Sequence, residues 1–301
     1  MPTLTRRRFL TLTAALAVPM RAGAAQITEW HGTALGAEAA IWLDHPDAPA
    51  VIAGAVAEIG RLEDIFSLYR PASALSVLNA TGRLEAPPFE LLECLALCAR
   101  VHGATAGLFD PTVQPLWQLY AARYAAGSGP ERGELEEVLT RVGLRRVAFD
   151  SAAVVLERGM ALTLNGVAQG FIADKVAELL ARQGLTDILI NTGELRALGG
   201  MPGGGGWPVG LAGGGAVSLT ARALATSAPL GTVFDAAGRV GHILHPVSGL
   251  PAAPVWQTVS ISAPTAALAD ALSTAACLMP DRATVETTVA GFEGARIEAL
   301  S

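Results

Sequence analysis

The chain has 301 residues, of which 51% are hydrophobic and 16% charged, so it can bury a substantial core and lacks the composition of a disordered protein. Its net charge of -6 comes from 27 acidic and 21 basic residues without a long basic run, which argues against a nucleic-acid partner. The length suits one large domain or two coupled lobes.

The first two dozen residues have the pattern of an export signal. Three arginines at 6–8 precede Phe9, an apolar run at 12–18 and small residues at 22–24. The run is too short to span a bilayer, and the paired arginines resemble a twin-arginine (Tat) signal. The alternative is an ordinary secretory signal or fortuitous arginines. We therefore predict a signal at 1–24, a single domain at 25–301 and a periplasmic location.

The first half of the mature chain predicts two strands followed mainly by helices. Hydrophobic periodicity predicts strands at 27–33 and 38–43, and helices at 48–66, after Ser73 to about Asn79, and at 88–104. A polar connection at 119–133, a charged helix at 134–141 and strands at 147–150 and 154–157 are expected next.

Two features of this half have alternative interpretations. Cys94 and Cys98 share one face of a predicted helix, and buried thiols are favoured over a metal pair because only His102 adds a ligand at suitable spacing. Cys277 lies far from both along the chain. Asp110 precedes a proline, where it either caps the next helix or meets a ligand.

The central stretch, at 162–199, predicts a strand, a glycine-punctuated turn, an amphipathic helix and a second strand. Gly166 and Gly170 allow the backbone to approach a bound group, and the free N–H groups at the start of a helix favour a phosphate. The alternative is a tight connection that binds nothing.

The last third alternates turns with short strands and ends in a helix. The glycine-rich segments at 199–206 and 213–215 fit hairpin turns better than phosphate loops. Strands are expected within 241–251 and at 255–262, followed by a helix at 264–279. On that helix Asp270 and Thr274 face the same way and could ligate Mg²⁺, unless Asp270 is solvated and Thr274 bonds to its own helix.

Seven segments, in order, resemble motifs of the ApbE family of FAD:protein FMN transferases. Five of them read G-L-F-D-P at 107–111, T-L-N-G-V-A-Q-G at 163–170, N-T-G-E-L-R-A-L-G at 191–199, A-T-S at 225–227 and A-D-A-L-S-T at 269–274. The other two are Y-R-P-A-S-A-L-S-V-L-N, within 66–79, and H-I-L-H-P-V-S-G-L-P at 242–251. The resemblance covers nearly the whole mature chain and leaves a purely structural protein as the least favoured interpretation.

The resemblance implies a fold, a reaction and a site. The fold is α+β, a mixed, largely antiparallel sheet with flanking helices and an FAD cleft between two interleaved lobes. The reaction is the Mg²⁺-dependent transfer of FMN from FAD to a Ser or Thr hydroxyl of a partner flavoprotein, with release of AMP. The implied flavin contacts are Leu35, Leu108, Phe109, Asp110, Thr163, Gln169 and His242. Asp270, Thr274 and a carbonyl near Gly166 hold the cation, and Asp270 and His242 are the catalytic residues.

Three positions depart from the family pattern. Thr163 and His245 stand where the family usually has aspartate, and Gln169 stands where it has lysine. The motif forms resemble the Tat-exported NosX-type subgroup that accompanies nitrous-oxide reduction. Two functions follow: flavinylation of a periplasmic electron-transfer protein, or a maturation role in which the chain holds a flavin without efficient turnover. Neither involves nucleic acid or stable membrane insertion.

Overall fold

The structure, a computed structural model, describes residues 27–301, so the predicted signal lies outside the described residues. Its strands are β1 (Thr28–Ala34), β2 (Ala37–Leu43), β3 (Arg83–Glu85), β4 (Ala148–Phe149), β5 (Ala153–Val155), β6 (Ile188–Asn191), β7 (Leu195–Leu198), β8 (Trp207–Gly210), β9 (Ala216–Leu219), β10 (Ala223–Ser227), β11 (Val259–Ala263) and β12 (Arg296–Leu300). Its α-helices are α1 (Ala48–Phe66), α2 (Ala74–Thr81), α3 (Phe89–Ala104), α4 (Gln114–Ala125), α5 (Arg132–Leu139), α6 (Ala168–Arg182), α7 (Ala266–Ala276) and α8 (Arg282–Ala290).

A seven-stranded sheet forms the centre of the molecule, in the order β1-β2-β6-β7-β10-β11-β12. Every neighbouring pair in it is antiparallel. The strands come from both ends and the middle of the described chain, so the sheet joins distant segments. This architecture confirms the predicted α+β class with a largely antiparallel sheet and flanking helices.

Helices α1, α6 and α7 pack together beside the sheet, and α7 lies against β10 and β11. Helix α6 is buried over most of its length, and α7 is built largely from alanine, which allows close packing. Gly170 on α6 meets α7 so closely that a Cβ atom there would lie 2.3 Å from the Ala266 carbonyl oxygen. Small residues therefore set the distance between the two helices.

Two smaller clusters complete the core. The β8–β9 hairpin places the fully buried Trp207 against Trp42 and Leu189 of the sheet. The other cluster joins α4 and α5 to the irregular segment 228–258, with Leu116 and Leu244 buried inside it. That segment leaves the sheet after β10, passes over α4 and returns as β11.

The sequence-based prediction of secondary structure is wrong in four places. The strand expected at the start of 162–199 is an irregular segment, and the strand expected at 255–262 begins only at Val259. The expected polar connection at 119–133 contains the second half of α4, where Tyr120 and Tyr124 pack against Phe234 from a remote part of the chain. The expected strand within 241–251 is a loop with two isolated bridges, Val233–Gly241 and Leu244–Pro251, because no neighbouring strand pairs with it.

Several other expectations are confirmed. Helices α1 and α3 lie where periodicity predicts them, and the glycines before β9 form a hairpin turn. Cys94, Cys98 and Cys277 are free, buried thiols. Between residues 27 and 301, no helix has the length and apolar character needed to cross a membrane.

Candidate active site

A cavity of about 260 Å³ opens between the sheet and the α4–α5 cluster. Its lining comes from the turn before α6, the end of β10, the side of α7 and segments 108–113 and 242–244. All ten residues that the resemblance implies for the site line it: Leu35, Leu108, Phe109, Asp110, Thr163, Gly166, Gln169, His242, Asp270 and Thr274. The structure therefore brings the predicted site together, and the individual chemical roles stay predictions.

Part of the cavity wall is apolar. Leu35, Leu108 and Phe109 face it together with Trp117, Ile243 and Leu244. Leu35 occupies the two-residue turn between β1 and β2. Its φ of 49° is a backbone conformation that residues other than glycine seldom adopt. Its N–H group donates to Glu63 Oε1 at 2.6 Å, and Glu63 in turn pairs with Arg70. The apolar wall is thus anchored to α1.

Asp110 lines the cavity but also has a structural function. Its Oδ1 accepts hydrogen bonds from the Thr112 N–H at 2.8 Å and from the Thr112 hydroxyl at 2.5 Å. Its Oδ2 accepts from the Leu144 N–H at 3.0 Å, and the His102 Nδ1 lies 3.6 Å away. The expected helix capping is therefore present, and most of this carboxylate's acceptor capacity is used within the protein.

Another part of the cavity wall carries oxygen groups. Asp270 is 3% exposed, which contradicts the alternative of a solvated aspartate. The Thr274 Oγ1 lies 3.3 Å from the Ser227 Oγ, so Thr274 faces a neighbouring strand. A Cβ atom at Gly166 would lie 3.0 Å from the Thr274 Oγ1, so a larger residue here would crowd Thr274. Asp270, Thr274 and the backbone at Gly166 therefore lie together, as predicted.

The charges around the cavity suit a divalent cation. Burial raises the pKa of Asp270 to about 8, and its hydrogen bond from the Gly170 N–H is long, at 3.4 Å. None of the described residues that line the cavity is lysine or arginine. Within 27–301 no cluster of three or more His, Cys, Asp or Glu forms a metal site. Mg²⁺ needs only one or two carboxylates with other oxygen ligands, so the donors present fit it.

His242 is a neutral imidazole held by the backbone. Its Nδ1 lies 3.0 Å from the Thr232 carbonyl oxygen, and because a carbonyl only accepts, this nitrogen carries the proton. Burial lowers the pKa of His242, which favours the uncharged ring. An imidazole in this tautomer keeps Nε2 as an acceptor.

The three departures from the family pattern have different surroundings. Thr163 and Gln169 line the cavity, so these two replacements remove a carboxylate and an ammonium group from the site itself. His245 does not line it: its Nδ1 accepts from the Val247 N–H at 3.1 Å and the Ser248 N–H at 3.3 Å. The side chain of His245 therefore closes a turn and does not face the cavity.

Sequence analysis did not single out Glu194 or Ser227, both of which line the cavity. Ser227 Oγ lies 2.7 Å from the Ser273 Oγ and so ties β10 to α7 beside Thr274. Both residues fall inside family motifs, N-T-G-E-L-R and A-T-S, so the resemblance could have identified them as candidates for the site. Their spatial relation to Asp270 is not visible in the linear sequence.

The fold and cavity define an α+β protein whose cleft pairs an apolar wall with buried acidic and hydroxyl groups, as expected for a ligand with a ring system and an anionic part. Residues 28–294 match the ApbE family, and the chain belongs to that family. This confirms the family prediction.

Known relatives agree with this assignment. The FAD:protein FMN transferase of Treponema pallidum is 31% identical over 244 residues, covering 71% of this chain and 67% of the relative. That of Klebsiella pneumoniae is 29% identical over 211 residues, covering 64% of each chain, so the matches span about two thirds of these relatives. The predicted enzyme class agrees with their names.

Solved structures support the fold. The ApbE protein of Thermotoga maritima superposes with a TM-score of 0.81 at 26% identity, covering 92% of this chain and 96% of that one. The apo flavinyl transferase ApbE of Pseudomonas stutzeri gives 0.77 at 23% identity, covering 90% of both, and supports the fold alone.

Proposed function

We propose that this protein transfers FMN from FAD to a Ser or Thr hydroxyl of a partner protein, in a Mg²⁺-dependent reaction that releases AMP. One observation carries the proposal: Asp270, Thr274 and Gly166 meet in the same cavity as the apolar wall at Leu108 and Phe109. Relatives named FAD:protein FMN transferase support it.

The two walls suit the two parts of FAD. The isoalloxazine ring fits the apolar wall formed by Leu35, Leu108 and Phe109, where aromatic and aliphatic contacts exclude water. The pyrophosphate fits the oxygen-rich wall near the start of α6, where helix N–H groups favour an anion. FAD binding in this orientation places the bond between its phosphates beside Asp270 and His242.

Asp270, Thr274 and the carbonyl near Gly166 are the groups that would hold the cation. When bound, Mg²⁺ supplies positive charge that offsets the charge on the phosphates and on the AMP leaving group. Asp270 provides a fixed negative charge for it, kept in place by α7. The neutral His242 ring offers an acceptor nitrogen for the proton of the attacking hydroxyl.

A second candidate function is a flavin-binding maturation protein without efficient turnover. Thr163 and Gln169 favour it, because they remove a carboxylate and an ammonium from the cavity. With no lysine or arginine among the described lining residues, stabilisation of the phosphates depends on the cation and backbone groups. Such a site could retain FAD while turning it over slowly.

The proposed setting is the bacterial periplasm. The arginine-rich segment before Phe9 supports export by the twin-arginine route. The forms L-N-G-V-A-Q-G and N-T-G-E-L-R-A-L-G support a NosX-type role, with a membrane-anchored electron-transfer protein of nitrous-oxide reduction as the acceptor.

The decisive experiment mixes the purified mature protein with FAD, Mg²⁺ and an acceptor domain that carries a Ser/Thr flavinylation motif. Covalent flavin fluorescence on the acceptor in a gel, together with released AMP, supports the transferase. FAD that stays bound without transfer, while another ApbE-family protein labels the same acceptors, supports the maturation role.

The cation role has its own test. We expect Asp270→Ala to abolish Mg²⁺-dependent transfer, because it removes the carboxylate that attracts the cation. Transfer is followed at limiting Mg²⁺, with the exposed Glu178→Ala as the control variant. Unchanged transfer by Asp270→Ala would remove Asp270 from the cation site.

A further inference from the structure

Glu194 is a third buried carboxylate in the cavity, beside Asp110 and Asp270. It follows a tight turn in which Gly193 has a φ of 107° and donates its N–H to Asn191 Oδ1 at 2.9 Å. This turn directs Glu194 inward at the start of β7, where it is 9% exposed and lines the cavity with Asp270.

Few protein groups compensate the Glu194 charge. Its Oε2 accepts one hydrogen bond, from the Thr226 N–H at 3.2 Å. Among the described residues, Oε1 has no hydrogen-bond partner within the protein and is not sealed in the core. Asp110, by contrast, accepts from two backbone N–H groups and a hydroxyl. Glu194 is therefore open to a ligand in a way that Asp110 is not.

Glu194 and Asp270 form an acidic pair without a cationic side chain. Burial raises the pKa of Glu194 well above its ordinary value, and the charge of Asp270 raises it further. Two such carboxylates beside one cavity are unfavourable unless a positive charge joins them. The described lining supplies no lysine or arginine for that purpose.

We propose that Glu194 is a second acidic residue of the cation site and that it strengthens binding of the divalent cation. Mg²⁺ keeps several of its waters when bound, so a carboxylate need not displace them in order to contribute. This inference rests on the proposed function, since it concerns the same cation, and it adds a residue to the set formed by Asp270, Thr274 and Gly166.

The test measures binding of Mn²⁺, as a spectroscopic substitute for Mg²⁺, to the mature protein in the presence and absence of FAD. Free Mn²⁺ is followed by electron paramagnetic resonance. In Glu194→Gln the amide oxygen still accepts from the Thr226 N–H, but the charge is lost. We expect this variant to lose at least about tenfold in affinity for Mn²⁺, while Glu194→Asp retains most of the affinity.

Glu194→Gln is also expected to keep or raise the melting temperature of the cation-free protein, because the amide replaces a buried carboxyl group that is costly to ionise while preserving the hydrogen bond. If Glu194→Gln binds Mn²⁺ like the wild type, Glu194 only anchors Thr226 and the inference is overturned. If the wild type binds no Mn²⁺, the cation site and this inference both fail. Mn²⁺ binding without flavin transfer to any acceptor overturns the transferase function alone.

Discussion

At the scale of single residues, Leu35 combines strain with exposure to the cavity. Its positive φ costs roughly 1 kcal/mol or more in folding free energy, and asparagine adopts this backbone conformation at a lower cost. We expect Leu35→Asn to leave the melting temperature nearly unchanged, because the relieved strain offsets lost apolar contact, while FAD binds more weakly. Thermal unfolding and flavin fluorescence titration provide the two readings.

The matched control is Ala221→Asn. Ala221 has the same φ of 49° but is exposed and does not line the cavity. This variant should gain a little stability and bind FAD normally. Equal FAD affinity in Leu35→Asn and Ala221→Asn would remove Leu35 from the flavin site.

Asp110 shows how a predicted ligand contact can also support the fold. Asp110→Ala leaves the Thr112 and Leu144 N–H groups without their acceptor, at about 1–3 kcal/mol for each buried donor. We expect a loss of more than about 2 kcal/mol in the free energy of unfolding, measured by urea denaturation.

A surface cap provides the comparison for Asp110. Asp281 caps α8 by accepting a hydrogen bond from the Thr284 N–H at 2.8 Å. Asp281→Ala should lower the free energy of unfolding by only about 1 kcal/mol. Similar losses in the two variants would show that the Asp110 contacts contribute little, leaving its proposed FAD contact as its main function.

At the scale of elements, the distance between α6 and α7 positions Asp270. Gly170→Ala would bring a Cβ atom against the Ala266 carbonyl, so the helices must separate. We expect a loss of about 1–3 kcal/mol in unfolding free energy and weaker cation binding. Urea denaturation and Mn²⁺ titration measure the two effects.

Gly54 on α1 is the matched helix glycine, with open space around its would-be Cβ atom. Gly54→Ala should stabilise the protein by about 0.5–1 kcal/mol, because alanine loses less conformational freedom in a helix. If Gly170→Ala behaves like Gly54→Ala, close packing of α6 and α7 does not control the site.

The local sequence pattern predicted the helices whose position depends on their own hydrophobic periodicity. Helix α1 has both ends where its periodicity places them, whereas the second half of α4 was assigned to a connection. The tyrosines that hold α4 in place contact Phe234, more than a hundred residues away, and no local pattern contains that information. The loop around His245 was misassigned because a strand needs a partner that the sequence does not reveal.

The candidate site could be predicted only in part. Asp270 and Thr274 share a helix face, so their proximity follows from spacing. Leu35, Asp110 and His242 reach the cavity from remote segments. Leu35 and His242 were recognised through the family resemblance alone, whereas the place of Asp110 before a proline already left a ligand contact open. Glu194 needed the structure, because its position beside Asp270 depends on the turn at Gly193 and on pairing of β7 with β10.

At the scale of the whole molecule, Asp174 links global stability to pH. It caps α7 from α6, accepting from the Ala266 N–H at 2.8 Å and the Ala267 N–H at 2.9 Å. Burial raises its pKa from 3.8 to about 6, although the Arg196 Nε lies 3.2 Å away, and Glu178 adds to the increase. The folded protein therefore holds this proton more tightly than the unfolded chain does.

The sign of the pH effect follows from that difference. The stabilisation is complete below pH 3.8 and is lost as pH rises through about 6. We expect the unfolding free energy of the wild type to fall over this range by at most about 3 kcal/mol relative to Asp174→Asn, which cannot titrate here. Denaturation at a series of pH values measures the difference between the two proteins, and parallel curves would contradict the prediction.

The three buried thiols bear on the proposed export of this protein. Cys94, Cys98 and Cys277 are enclosed in the apolar core and form no disulfide with one another. A hydrogen bond with Cys98, together with burial, raises the pKa of Cys94, and burial raises the pKa of Cys277. Folding of the chain thus requires no oxidant, and the finished protein offers little thiolate to one. A chain of this kind can complete its fold in a reducing compartment and then enter an oxidising one unchanged, which is what transport in the folded state demands.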